Sequence, residues 1–239
     1  CNKNSVLTLD GTEFPMDSAV KANLANNANN VSIINFLLTS YPLSKEHYLL
    51  KLQKFVNSML WFRSVGKNEF MGLATAPANL DEYIIKNQLT LDFEEFILRV
   101  SGQHFEFQKP DENDKELYCK FDLGRIPFDK IASTGTQSLM LLYYWLKQMA
   151  DASFVFIDEF DAFYHFRLSY EVCKTLFALP CQAFTSSHNT YLMTNDLLRP
   201  DCNFILQDNK IKALSECTQK ELRFGHNIEK MFRGNAFEV

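Results

Sequence analysis

An α/β fold is predicted from three observations. FVFI at 154–157 is a short apolar run that ends directly on Asp158 and Glu159. QAFTSS at 182–187 is a second strand-like run, reached after one helical stretch, Arg167–Leu179. Between 132 and 150, small polar residues lead into the long apolar helix LMLLYYWLKQMA. Strands alternating with helices imply a largely parallel sheet covered by helices.

The elements follow in order. SVLTLDGTEF (5–14) reads as two short strands about the Asp10-Gly11 turn, and NLANNANN (23–30) as a helix end or loop. From 31 to 62 apolar residues recur at helical spacing, with a bend at Tyr41-Pro42 separating two helices. NLDEYIIKN (79–87) and LDFEEFILRVSG (91–102) add two more, the second ending on Gly102 at a C′ position. HFEFQ (104–108) and LYCKFDL (117–123) alternate as strands about PDENDKE and predict a hairpin. Residues 139–150 are apolar nearly all round, which predicts a helix buried on both sides. NFILQD (203–208) and KIKALS (210–215) form a second hairpin about Asn209.

Bulk properties exclude several classes. The 239 residues suffice for one large domain or two small ones. With 46% hydrophobic and 22% charged residues the composition is that of an ordinary globular protein. A net charge of −5 gives no global signal for nucleic acid. The longest apolar run, Leu139–Leu146, is too short to span a bilayer. The six cysteines show no CxxC spacing, which argues against zinc and for reduced thiols in a cytoplasm. The opening CNKNSVLTLDG lacks the apolar stretch of a signal peptide, and its free Cys1 reads as the start of a fragment.

A carboxylate taken out of water is costly unless it is paired. The end of the 154–158 strand is therefore expected to face a cation, a ligand or solvent. Ligands of open parallel sheets bind off the carboxyl ends of strands. His188 closes the next strand-like segment, so its ring and the acidic pair share one edge if the strands are neighbours. The Ser133–Ser138 loop opens a helix whose amides can meet an anion. Such a set suits a magnesium–nucleotide site, one carboxylate orienting the metal and the other holding or deprotonating water. The bland alternatives are a capped strand end, a structural histidine and a plain helix N-cap. Asp161 and His165 fit a subunit contact or a solvated turn equally well.

At these residues the sequence resembles the ABC/SMC/RecF class of ATPases. FVFIDE looks like a Walker B strand with its catalytic glutamate, ASTGTQS like the LSGGQ motif, and FTSSH like the strand ending in the switch histidine. SSHNTYLMTNDLLRPDCNFIL and NIEKMFRGNAF resemble the AAA-type ATP-binding proteins of the abortive-infection group, related to OLD-family ATPases. The resemblance implies a P-loop NTPase fold in three parts. Residues 1–30 would be an N-terminal segment, 31–102 a helical insertion lobe and 103–239 the ATPase core. It implies Mg²⁺ on Asp158, catalysis by Glu159 and His188, and a homodimer closed around ATP. Ser133, Gly135 and Thr136 would meet the γ-phosphate held by the partner protomer. It also implies a nuclease or other effector partner in a defence system.

One departure stands out. The family's phosphate loop, GxxxxGK[ST], does not occur in the sequence. RSVGKNEF (63–70) has a Gly-Lys but lacks the first glycine and a following Ser or Thr, and it falls inside the expected helical lobe. The expectation is that the loop precedes Cys1. The rivals are a degenerate scaffold acting by protein contact and a metal-dependent nuclease, the latter without a second acidic cluster to support it.

Overall fold

The structure is a computed structural model describing residues 14, 16–26, 32–63, 70–75, 77–111 and 113–238. They fall into two units, Cys1–Asn57 and Ser58–Val239. This division lies inside the stretch 31–102, which the family resemblance implies is one helical insertion lobe. Nearly all of the expected strand pair at 5–14 lies outside the described residues.

In the first unit α1 spans Ser18–Asn26, α2 Ile33–Ser40 and α3 Tyr48–Asn57. The Ser32 hydroxyl caps α2 by accepting from the Asn35 amide at 3.3 Å, which satisfies one of the four orphan N–H groups there. The helix stops at Tyr41, which is extended at φ −122°, ψ 136°. Pro42 imposes this, because its ring disfavours helical backbone in the residue before it. Phe14, Leu37 and Leu49 form a small core, and Phe14 meets Tyr41 edge-on at 5.4 Å.

The second unit begins with a correction. Met59–Arg63 is a strand, β1, and Phe70–Gly72 is its antiparallel partner β2. A five-residue apolar run fits a helix or a buried strand equally well by periodicity. The partner decides here: Phe154–Asp158, β5, lies parallel to β1 with Leu60 opposite Val155, Phe62 opposite Ile157 and Arg63 opposite Asp158. Gly66-Lys67 therefore follows a strand after all. The next described element is β2, however, whereas a phosphate loop leads into a helix. Residues 64–69 themselves lie outside the described residues.

Gln182–Thr185, β6, pairs in parallel with the other side of β5 and completes the order β2-β1-β5-β6. Helices α4 (Leu80–Lys86) and α5 (Thr90–Ser101) follow β2 in the chain. Gly102 ends α5 in the left-handed conformation at φ 72°, as its position predicts. Next come β3 (Tyr118–Phe121), β4 (Gly124–Pro127), the single turn α6 (Phe128–Ile131) and α7 (Thr134–Gln148). The closer hairpin is β3–β4, because Asp122 and Leu123 form the tight turn and Gly124 at φ 148° restarts the strand. The expected neighbour survives as one bridge, Phe107 to Cys119.

The core lies between the sheet and the helices. Leu60 and Phe62 of β1 and Val155 and Ile157 of β5 alternate inward. Trp145 of α7 stacks on Phe62 at 5.0 Å, Tyr143 turns the other way to Phe93, and Tyr144 between them meets both Trp145 and Tyr83. The helix is thus buried on both sides, as its apolar surround requires. Helix α8 (Phe166–Phe177) joins this core through Leu168, Val172 and Leu176.

β7 (Phe204–Gln207) and β8 (Lys210–Ala213) pair about Asp208 and Asn209, both at positive φ, the backbone of a two-residue hairpin turn. Beyond them α9 (Ile228–Arg233) packs a second small core around Leu214 and Cys217. The Asn195 side-chain amide ties this tail in by donating to the Arg223, Phe224 and His226 carbonyls.

Burial also sets thiol chemistry. It pushes the Cys119 thiol up to about 11 and the Cys173 thiol up to about 12, so both stay protonated and unreactive at neutral pH. Cys202 is exposed. At pH 8 a thiol reagent is expected to label Cys202 in the folded protein, and Cys119 and Cys173 only after denaturant is added. Rapid labelling of Cys173 without denaturant would contradict this packing.

Candidate active site

Three parallel strands finish side by side, and each delivers polar groups to the same edge. β1 ends on Arg63, β5 on Asp158 followed by Glu159, and β6 runs into Ser186, Ser187 and His188. The Ser186 hydroxyl binds two of these groups at once. It donates to Asp158 Oδ1 at 2.6 Å and accepts from the Glu159 amide at 2.8 Å. Main-chain bonds continue the stitching, from the Ser186 amide to the Ile157 carbonyl at 2.9 Å and from the Phe160 amide to the Ser186 carbonyl at 3.2 Å.

Glu159 lies at φ 48°. A left-handed residue with a Cβ costs about 1–2 kcal/mol, so the neighbouring bonds must hold this turn. Ser186→Ala removes both of its hydroxyl bonds at a part-buried place. It is expected to lower stability by about 1–3 kcal/mol, read from the denaturant midpoint. A neutral Ser186→Ala would mean that the hydroxyl does not carry the turn.

Arg63 supplies the positive charge. Its Nη2 lies 3.0 Å from Glu159 Oε2, and its Nε lies 3.6 Å from Asp158 Oδ2. The two carboxylate side chains are 33% and 32% exposed, so the pair faces solvent while anchored from behind. His188 is exposed in the turn beyond Ser187. Asp161 accepts from the Ser187 hydroxyl at 2.7 Å, which links the chain after the acidic pair to the turn that carries His188.

The loop opening α7 sits on the segment that follows the acidic pair. Ser133 caps α7, its Oγ accepting from the Thr136 amide at 3.2 Å. Gly135 lies so close to that segment that a Cβ there would meet the Phe163 carbonyl oxygen at 2.9 Å. The Ser138 hydroxyl reaches the Tyr164 hydroxyl at 3.3 Å. Ser133 is exposed and Gly135 half-buried, but Thr136 is only 3% exposed and its hydroxyl is already engaged, donating to Gln103 Oε1 at 2.8 Å. The Thr136 hydroxyl therefore braces the loop from within. His165 caps α8, its Nδ1 accepting from the Leu168 amide at 3.4 Å, which leaves Nε2 as the other ring nitrogen. Ser133, Gly135, Thr136, Phe163, His165 and Gln103 line a cavity of about 190 Å³.

Sequence reasoning missed Arg63, Ser186 and Gln103. Arg63 was hidden by the helical reading of its segment, although a single arginine closing the apolar run Met59–Phe62 was the available signal. Ser186 was visible only as part of FTSSH, and Gln103 has no local signal because its partner is distant in the chain.

Among the described residues, no three His, Cys, Asp or Glu side chains group as a metal site. The part-exposed carboxylates of Asp158 and Glu159 could offer one or two oxygen ligands to a magnesium ion whose other ligands are phosphates and water. Also among the described residues, no helix is long and apolar enough to cross a membrane.

Carboxylates at the carboxyl end of a parallel strand, beside a neighbour's polar end, mark an open α/β ligand-binding core. Residues 21–194 match the family described as "AAA domain, putative AbiEii toxin, Type IV TA system". Because the match spans most of the chain, this protein belongs to that AAA family. Comparison with curated proteins found no match.

Proposed function

We propose that this chain is an ABC-like ATPase core that closes as a homodimer around ATP, acting as a motor or sensor in an abortive-infection system. The observation that carries the reading is the Ser186 hydroxyl, which fixes Asp158 and Glu159 together at the end of β5. Asp158 would hold Mg²⁺, whose chemistry is to neutralise the phosphate charge and orient the triphosphate. Glu159 takes the proton of the attacking water, held in place by its left-handed turn. His188, exposed on the β6 turn, donates to the terminal phosphate. The Ser133 hydroxyl and the backbone at Gly135 serve the nucleotide of the opposite protomer, and Thr136 keeps that loop in shape. The toxin–antitoxin wording of the family supports the defence setting, and an effector such as a nuclease would read out closure.

A second reading is favoured by one observation. The sequence has no GxxxxGK[ST], within the matched region or elsewhere. On this reading the fold is a scaffold that works by contact alone. Binding of a fluorescent ATP analogue with magnesium, followed together with molar mass, separates the two. Saturable binding that drives dimerisation supports the ATPase, and no binding at millimolar nucleotide supports the scaffold.

A further inference from the structure

We propose that Arg63 is a built-in counter-cation that keeps bare divalent metal off the acidic pair, so that metal enters only together with its nucleotide. The inference rests on the ATPase reading for the identity of the site. Its own support is the geometry of three strand ends. Arg63 is level with Asp158 in the parallel register of β1 and β5, so the sheet itself sets the guanidinium against the carboxylates. One nitrogen lies 3.0 Å from Glu159 Oε2 and another 3.6 Å from Asp158 Oδ2, so one cation bridges both acids. Ser186 meanwhile takes the other Asp158 oxygen, Oδ1. A divalent ion approaching from solvent thus meets a pair whose charge is already half neutralised and one of whose oxygens is in use.

The charge balance has a direct consequence. Among the described residues, the two carboxylates and the guanidinium that pairs with them carry one net negative charge, a weak attraction for a strongly hydrated ion that sheds water reluctantly. A metal–triphosphate complex brings its own oxygen ligands and its own negative charge, which can take over the guanidinium as the metal takes the carboxylate. Arginine suits this exchange because its planar fork binds carboxylate and phosphate alike. Arg63 is in this sense a positioning residue that selects the metal–nucleotide complex over the free ion.

The test is Mn²⁺ binding to the full chain without nucleotide, followed by the loss of the free-ion electron paramagnetic resonance signal. Arg63→Gln is expected to bind Mn²⁺ about tenfold more tightly than the unmodified protein, because a unit charge a few ångströms away has gone. Arg63→Lys keeps the charge and should stay within about threefold of the unmodified protein, an outcome that loss of packing alone would not give. Adding Asp158→Asn to Arg63→Gln should abolish the gain. If Arg63→Gln does not give a native circular dichroism spectrum, Arg63→Met, which retains the aliphatic stem, replaces it. Equal Mn²⁺ affinity in the unmodified and Gln (or Met) proteins would overturn the proposal. The ATPase reading fails separately: absence of nucleotide binding together with a tenfold Mn²⁺ gain would retain the counter-cation and remove the enzyme.

Discussion

Glu159→Gln is expected to reduce ATP turnover by about 100- to 10,000-fold, the range for loss of a positioned general base. The substitution keeps the side chain's size and its capacity to accept from Arg63, whose nitrogen lies 3.0 Å from Oε2. It removes the group that can take a proton from water, and with it the charge that pairs with Arg63. On the proposed function, nucleotide binding should persist, and the proposed closed dimer should accumulate because hydrolysis would no longer open it. The backbone requirement at φ 48° is the same for Gln as for Glu, so any loss of stability should be that of the part-exposed ion pair with Arg63, about 1 kcal/mol or less. Turnover and dimer mass measured on one preparation check both halves. Unchanged turnover would remove Glu159 from the chemistry, whatever its position at the strand end.

Gly72→Ala is expected to cost about 3 kcal/mol or more. Gly72 lies at φ 125°, and a Cβ there would sit 2.1 Å from the Met59 carbonyl oxygen. That contact is with backbone, and the same oxygen accepts from the Leu73 amide at 2.8 Å. No side-chain rotation can relieve it, so β2 must separate from β1. Gly102 provides the control. It also has positive φ, 72°, but nothing lies within 4 Å of its added Cβ, so Gly102→Ala should cost only about 1 kcal/mol. Denaturant midpoints of the two variants make the comparison. Equal losses would mean that left-handed strain alone, rather than the approach of β2 to β1, limits position 72. Because β1 carries Arg63, loosening the hairpin should also disturb the acidic pair.

Several parts of the site were legible in the chain because they depend on neighbours in sequence. Asp158 and Glu159 end an apolar run, and a run of that kind must stop where water begins. Ser133 precedes a helix and caps it. Gly102 closes α5, and Asn209 turns the last hairpin. Each needs only the local backbone to be recognised. Met59–Arg63 shows the opposite case. Five apolar or long side chains satisfy a helix as well as a strand, and the choice fell to β5, nearly a hundred residues further on, through the register that sets Arg63 against Asp158. The same distance hid Ser186 and Gln103, whose roles exist only once β6 lies beside β5 and the end of α5 lies beside the α7 loop.

The sequence by itself determined the order of motifs, the α/β alternation from residue 132 onward and the chemical groups at the ends of β5 and β6, because those follow from hydrophobic period and from residue type. Only the tertiary structure decided which groups share an edge, that Thr136 faces inward, and that an arginine from an unsuspected strand balances the acids. Pairing between remote strands fixes these features, since hydrogen-bond register and charge neutralisation act across space and leave no period in the chain.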